Sequence, residues 1–104
     1  MRLFKFTAII SPDKEDKFGF NVSVPSFPEI ATCGDSLEEA RFMAQDALEL
    51  VVLSRLEDGE DIPADVKPKK VKKDSIVEEF VISVAHEVTA APANYAKTAF
   101  FQSP

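Results

Sequence analysis

The sequence predicts an α+β domain in the order β-β-β-α-β. It is a mostly antiparallel four-stranded sheet, spatial order 3-2-1-4, with one long helix on one face. Three observations carry this. Apolar residues recur at every second position in two early stretches and one late one. A capped helix start, Gly34-Asp35-Ser36-Leu37-Glu38-Glu39-Ala40, stands in between. Finally, 104 residues with 45% apolar and 29% charged types suit a single globular domain. Folding at that length buries roughly 65% of the unfolded surface, enough for a modest core.

Residues 2–10 set Phe4, Phe6, Ala8 and Ile10 on one face, with Lys5 and Thr7 on the other, the period of a half-buried strand. Ser11-Pro12-Asp13-Lys14-Glu15-Asp16 is a polar reversal. Residues 17–24 alternate again, with Phe18, Phe20, Val22 and Val24 inward and Gly19, Asn21 and Ser23 outward, so the two runs form an antiparallel hairpin. Pro25 and Pro28 interrupt the ladder, because proline has no N–H to donate. Residues 29–33 supply a third, short strand.

Ser36 and Glu39 fit a capping box, and Asp35 places negative charge beside the helix's positive end. With Gly34 they form the structural helix-start set. The helix is predicted from Leu37 to about Leu56, with Gly59 just past its end. Leu37, Ala40, Ala44, Ala47, Leu48 and Val51 make a face for the sheet. In the second half Leu48, Leu50, Val51, Val52, Leu53 and Leu56 surround more of the circumference than one sheet covers. Two readings stay open: a self-association surface, with Leu50, Val52, Leu53 and Leu56 as interface candidates, or a following loop folded back over the helix.

Residues 57–75, marked by Gly59, Pro63 and Pro68, read as a loop. Lys67, Lys69, Lys70, Lys72 and Lys73 read as a solvated connection; without interleaved aromatics the stretch is a weak nucleic acid patch. In the last strand, 76–88, Ile76, Phe80, Ile82, Val84 and Val88 share a face, with His86 packed or hydrogen-bonded there, and Glu79, Ser83 and Glu87 opposite. A strand returning after a helical crossover pairs in parallel with the first, giving the 3-2-1-4 order. The sheet face away from the helix, with Lys5, Thr7, Asn21, Ser23, Glu79 and Ser83, is expected to meet water or a partner. Residues 1–88 are thus one domain, and 89–104 are a tail rich in Ala and Pro. Its Phe100 and Phe101 either belong to a disordered end or dock on a neighbouring subunit.

The net charge of −6 is unevenly spread. Residues 1–66 hold six Lys/Arg against fourteen Asp/Glu, residues 67–75 five Lys against Asp74. An acidic body repels phosphate and attracts basic partners. Glu38, Asp46 and Glu49 on the outer helix face are the candidates to meet one. No apolar run approaches a bilayer span, and Lys5 interrupts the apolar start, unlike a secretory signal. Cys33 is the one cysteine, so no intrachain disulfide forms and a reducing compartment, the cytoplasm, fits best. With His86 the one histidine, no Cys/His zinc site arises, and both residues read as structural rather than as a nucleophile–base pair. No catalytic, metal-binding or cofactor residues are expected.

The stretch Phe20-Asn-Val-Ser-Val-Pro25-Ser-Phe-Pro28, then Thr32-Cys-Gly34-Asp35-Ser36-Leu37-Glu38-Glu39-Ala40, then Ala47-Leu48-Glu49 and Asp58-Gly59-Glu-Asp-Ile62-Pro63, resembles the HicB-like antitoxin family. The resemblance covers roughly residues 2–88. It implies a truncated ribonuclease H-like fold. It also implies a domain that binds a small basic toxin, HicA, which cleaves messenger RNA and has a double-stranded-RNA-binding-domain fold. Members block the toxin's active surface and commonly form dimers or tetramers, and many carry a C-terminal DNA-binding segment. Two departures stand out. The family's Pro-Gly-Cys is here Pro28-Glu29-Ile30, which removes a glycine able to take positive φ. Residues 89–104 are few, proline-marked and poor in basic residues, so no specific DNA binding is expected.

Nor is nuclease activity expected. Ribonuclease H-like enzymes hold metal ions with carboxylates from the first strand, and residues 2–10 contain none. The expected function is neutralisation of a basic HicA-like toxin. The alternatives are an orphan homo-oligomeric domain with a regulatory role, or a weak nucleic acid binder through Lys67–Lys73.

Overall fold

The computed structural model describes residues 2–15 and 17–85. The elements are β1 (Arg2–Pro12), β2 (Phe20–Ser23), β3 (Ala31–Gly34), α1 (Leu37–Glu57) and β4 (Ile76–Val84). They form one four-stranded sheet in the order β3-β2-β1-β4, with α1 packed on one face. The expectations for His86, Glu87, Val88, Phe100, Phe101 and the whole 89–104 tail lie outside the described residues.

β1 is the organising strand. Its last residues, Ile9–Pro12, pair with β2, and Arg2–Ile10 pair with β4. The even residues Phe6, Ala8 and Ile10 enter the core with Val22 and Ile82, beneath Ala40, Ala44, Leu48 and Val52 of α1. Alanine at two of these helix positions lets the helix axis approach the sheet closely. Phe27, from the turn after β2, meets Phe6 edge-on at 4.8 Å between ring centroids.

The hairpin is closed by the Asp13 N–H on the Gly19 carbonyl at 2.9 Å, so Phe18 lies beyond the last rung. It is 70% exposed and belongs to the turn, not to the inward face of β2. β2 is correspondingly shorter than the alternation of residues 17–24 suggests.

Both ends of α1 are chemically terminated. Ser36 Oγ accepts the Glu39 N–H at 3.0 Å, and Glu39 Oε1 accepts the Asp35 N–H at 2.6 Å. At the other end Gly59 takes φ 72°. Its N–H reaches the Leu56 carbonyl at 3.2 Å, and the Glu60 N–H reaches Arg55 at 2.8 Å, a complete Schellman pair. Gly34 is needed for space rather than for φ: a Cβ there would sit 2.5 Å from the Ala40 nitrogen.

β4 runs antiparallel to β1, with Arg2 opposite Val84 and Ile10 opposite Ile76. This corrects the parallel pairing expected after a helical crossover. The helix does return the chain to the end where β1 begins. Residues 58–75 then travel back along the sheet and enter β4 from the opposite end, where Ser75 and Ser11 hydroxyls meet at 2.7 Å.

That segment is a strap rather than the solvated connection expected. The Asp65 carboxylate accepts both the backbone N–H and the hydroxyl of Thr7, each at 2.8 Å. Ser26 Oγ donates to the Ala64 carbonyl at 3.0 Å and accepts the Val66 N–H at 2.8 Å. Lys67 bridges Glu79 and Asp65. Thr7 is therefore 1% exposed, not part of a water-facing polar surface.

Candidate protein-interaction surface

Three surfaces bear on function: the outer face of α1, a groove beside its C-terminal half, and the lysine-bearing end of the strap. α1 lies on the sheet through Ala40, Ala44, Leu48 and Val52. At 100° per residue this turns Glu38, Phe42, Asp46, Glu49 and Leu50 outward, and all five are exposed. Among the described residues Glu38 and Asp46 make no ion pair, while Glu49 accepts a hydrogen bond from Gln45 at 2.9 Å. The helix's cations are occupied elsewhere. Arg41 holds Glu78 with contacts of 2.6–3.0 Å, and Arg55 holds Glu29 at 2.7 Å. The outer face is thus acidic with apolar residues between the charges.

Phe42, 67% exposed, was not singled out by sequence reasoning. It is a large apolar residue one turn from Glu38 and from Asp46, and that spacing was the available signal.

The apolar candidates separate. Leu50 is 61% exposed, Leu53 and Leu56 are half-buried against the core, and Val52 is 0% exposed. Val52 therefore leaves the interface set: it points at the sheet, four residues on from Leu48. Leu50 lines a groove of about 270 Å³ with Glu29, Val51, Ser54, Arg55 and Glu60. The Arg55 guanidinium sits 5.0 Å from the Phe27 ring centroid, and its hydrogen bond holds the Glu29 carboxyl below its ordinary value. This groove is structurally braced.

The lysines also separate. Lys67 is taken up by Glu79 and Asp65, and its pKa is raised by the Glu79 contact above all. Lys70 and Lys72 rim a groove of about 520 Å³ over Ile9, Ser11, Asn21 and Ser23, together with Lys14, Asp13 and Glu15. Two carboxylates among the lysines weaken its field for phosphate. Among the described residues no group of three His, Cys, Asp or Glu could hold a metal ion, and no helix is long and apolar enough to cross a membrane. Cys33 is exposed on β3, distant in the sheet from β4.

The sequence profile described as HicB_like antitoxin of bacterial toxin-antitoxin system matches residues 6–99. Among solved structures, the N-terminal domain of antitoxin HicB from Burkholderia pseudomallei is similar at 19% identity and a TM-score of 0.61, covering 80% of this chain and 100% of that one. That likeness extends to the fold. No curated protein matches.

Proposed function

The chain belongs to the HicB-like antitoxin family of bacterial toxin–antitoxin systems, and from that premise we propose that it neutralises a small basic HicA-like toxin through the outer face of α1. The observation that carries this is the acidic stripe of Glu38 and Asp46, which make no ion pair among the described residues, continued by Glu49 and interleaved with exposed Phe42 and Leu50. Carboxylates that make no ion pair among the described residues are available to a cationic partner, and the apolar side chains supply contact area between them. A toxin that binds RNA presents positive charge where its substrate lies. Covering that surface excludes the substrate, and the chain's net charge of −6 speeds encounter. The action is binding, with no catalytic step, and it belongs in the cytoplasm where messenger RNA is.

The test starts from the tagged full chain, recovered from its source cell with whatever it binds. A stoichiometric small basic protein should cleave messenger RNA when purified alone and stop when the chain is added back. Glu38→Lys with Asp46→Lys should weaken that complex at least tenfold, mainly through slower association at low salt. Absence of any basic partner at micromolar concentration overturns the reading.

A further inference from the structure

The groove of about 520 Å³ lies on the sheet face away from α1 and takes no part in the surface proposed for the toxin. The β1–β2 register sets its floor. Ile9 stands opposite Ser23 and Ser11 opposite Asn21, and the buried Ile10 between them fixes this set on the side away from the helix. One wall is the hairpin turn with Lys14, the other the strap with Lys70 and Lys72. A second hollow of about 470 Å³ shares Ser11, Lys14 and Lys72 with the first and carries on to Lys73. Together they make one trough with lysines on both sides. It lies beside Ile10 and Ile76, whereas β4 ends opposite Arg2, so the chain leaves the described residues at the far end of the sheet.

Lys14, Lys70, Lys72 and Lys73 are exposed and make no ion pair among the described residues. Lys67 is the exception in its stretch, being taken up by Glu79 and Asp65. The fold therefore removes Lys67 from the cationic set and adds Lys14 from the hairpin. Asn21 and Ser23 present exposed polar side chains on the floor. Asp13, Glu15 and Asp74 also line the trough and keep its field weak. Asp13 is partly spent within its own turn, accepting the Glu15 N–H at 2.9 Å.

We propose that this trough holds the backbone of single-stranded RNA. Lysines spread along two walls meet successive phosphates as point charges, which positions a strand without reading its sequence. The Asn21 amide and Ser23 hydroxyl offer hydrogen bonds to a ribose 2′-OH. A trough between two walls takes one strand, whereas a duplex reaches only its rims. Among the described residues no aromatic lines it, so bases gain no stacking. Affinity then falls in the non-specific range, Kd about 10⁻⁴–10⁻⁶ M. The trough and the outer face of α1 lie on opposite sides of the molecule, so both can be occupied together.

The test is fluorescence anisotropy of labelled oligouridine with the purified full chain, across about 50–200 mM salt. Three or four phosphate contacts should give a slope of log K against log salt of about −2 to −3. Lys70→Ser with Lys72→Ser should lower affinity about tenfold at low salt and bring the slope to about −1, with an unchanged circular dichroism spectrum. Lys67→Ser should change affinity far less, and Glu15→Gln should tighten binding. Oligouridine should bind more tightly than oligothymidine, and Asn21→Ala with Ser23→Ala should erase that difference. No binding at low salt overturns the proposal, as does binding that survives loss of Lys70 and Lys72. So does a preference for oligothymidine or duplex DNA, or equal competition by polyglutamate, which would mark a surface for an acidic protein. None of these outcomes depends on a toxin being found.

Discussion

Thr7 and Asp65, 58 positions apart, are joined by two hydrogen bonds of 2.8 Å, one to the backbone N–H and one to the hydroxyl. β2 pairs with β1 only from Ile9 onward, so the Thr7 N–H has no strand beside it. The carboxylate of the strap takes the place of the missing strand. Asp65→Ala leaves a buried donor pair unsatisfied and should cost about 1–3 kcal/mol in urea unfolding. Asp65→Asn retains one acceptor and should cost less.

The same contact sets an acid limit. Burial pushes the Asp65 carboxyl up, but the hydroxyl and N–H of Thr7 and the charge of Lys67 together outweigh it and hold its pKa below the ordinary value. A carboxyl depressed in the folded state adds stability that is present above its unfolded pKa and is lost as pH falls through the folded one. Stability should therefore drop from about pH 4 downward. The Asp65→Asn variant should show a shallower drop, measured as urea midpoints across that range.

Gly34 and Gly59 should respond differently to alanine. At Gly34 the new methyl meets Ala40 backbone that cannot swing aside, and overpacking of this kind costs about 1–3 kcal/mol or more. At Gly59 nothing lies within 4 Å, and only the left-handed φ is penalised, about 1–2 kcal/mol. Thermal unfolding of the two variants separates steric from conformational cost, and an Asn at Gly59 should recover part of its loss.

Leu48 and Leu50 test the helix orientation with one substitution. Leu48 is buried among Val52, Ala44 and the sheet, so Leu48→Ala should cost about 2–5 kcal/mol. Leu50 is exposed, and Leu50→Ala should stay within about 0.5 kcal/mol of the parent. Equal losses would show that Leu50 is covered in solution.

Ser36→Ala removes the oxygen that accepts the Glu39 N–H and should cost about 1 kcal/mol. Ser36→Asp should restore it, since a carboxylate also accepts that bond and suits the helix's positive end.

The sequence by itself determined the class of fold, the strand order and the helix. Alternation along Phe4, Phe6, Ala8 and Ile10, and the helical spacing of Ala40, Ala44 and Leu48, are local patterns whose period reports the element directly. The order of motifs from Phe20 to Pro63 also carried the family. Tertiary structure alone decided the direction of β4, the burial of Thr7 and the separation of Val52 from Leu50. Residues 58–75 have no period, so nothing local says that they run back along the sheet and bring β4 in antiparallel. Thr7 looks water-facing until Asp65 arrives from far along the chain. Val52 and Leu50 are both apolar in a stretch that is apolar nearly all round, and only the sheet beneath α1 distinguishes the residue it covers from the one it leaves exposed.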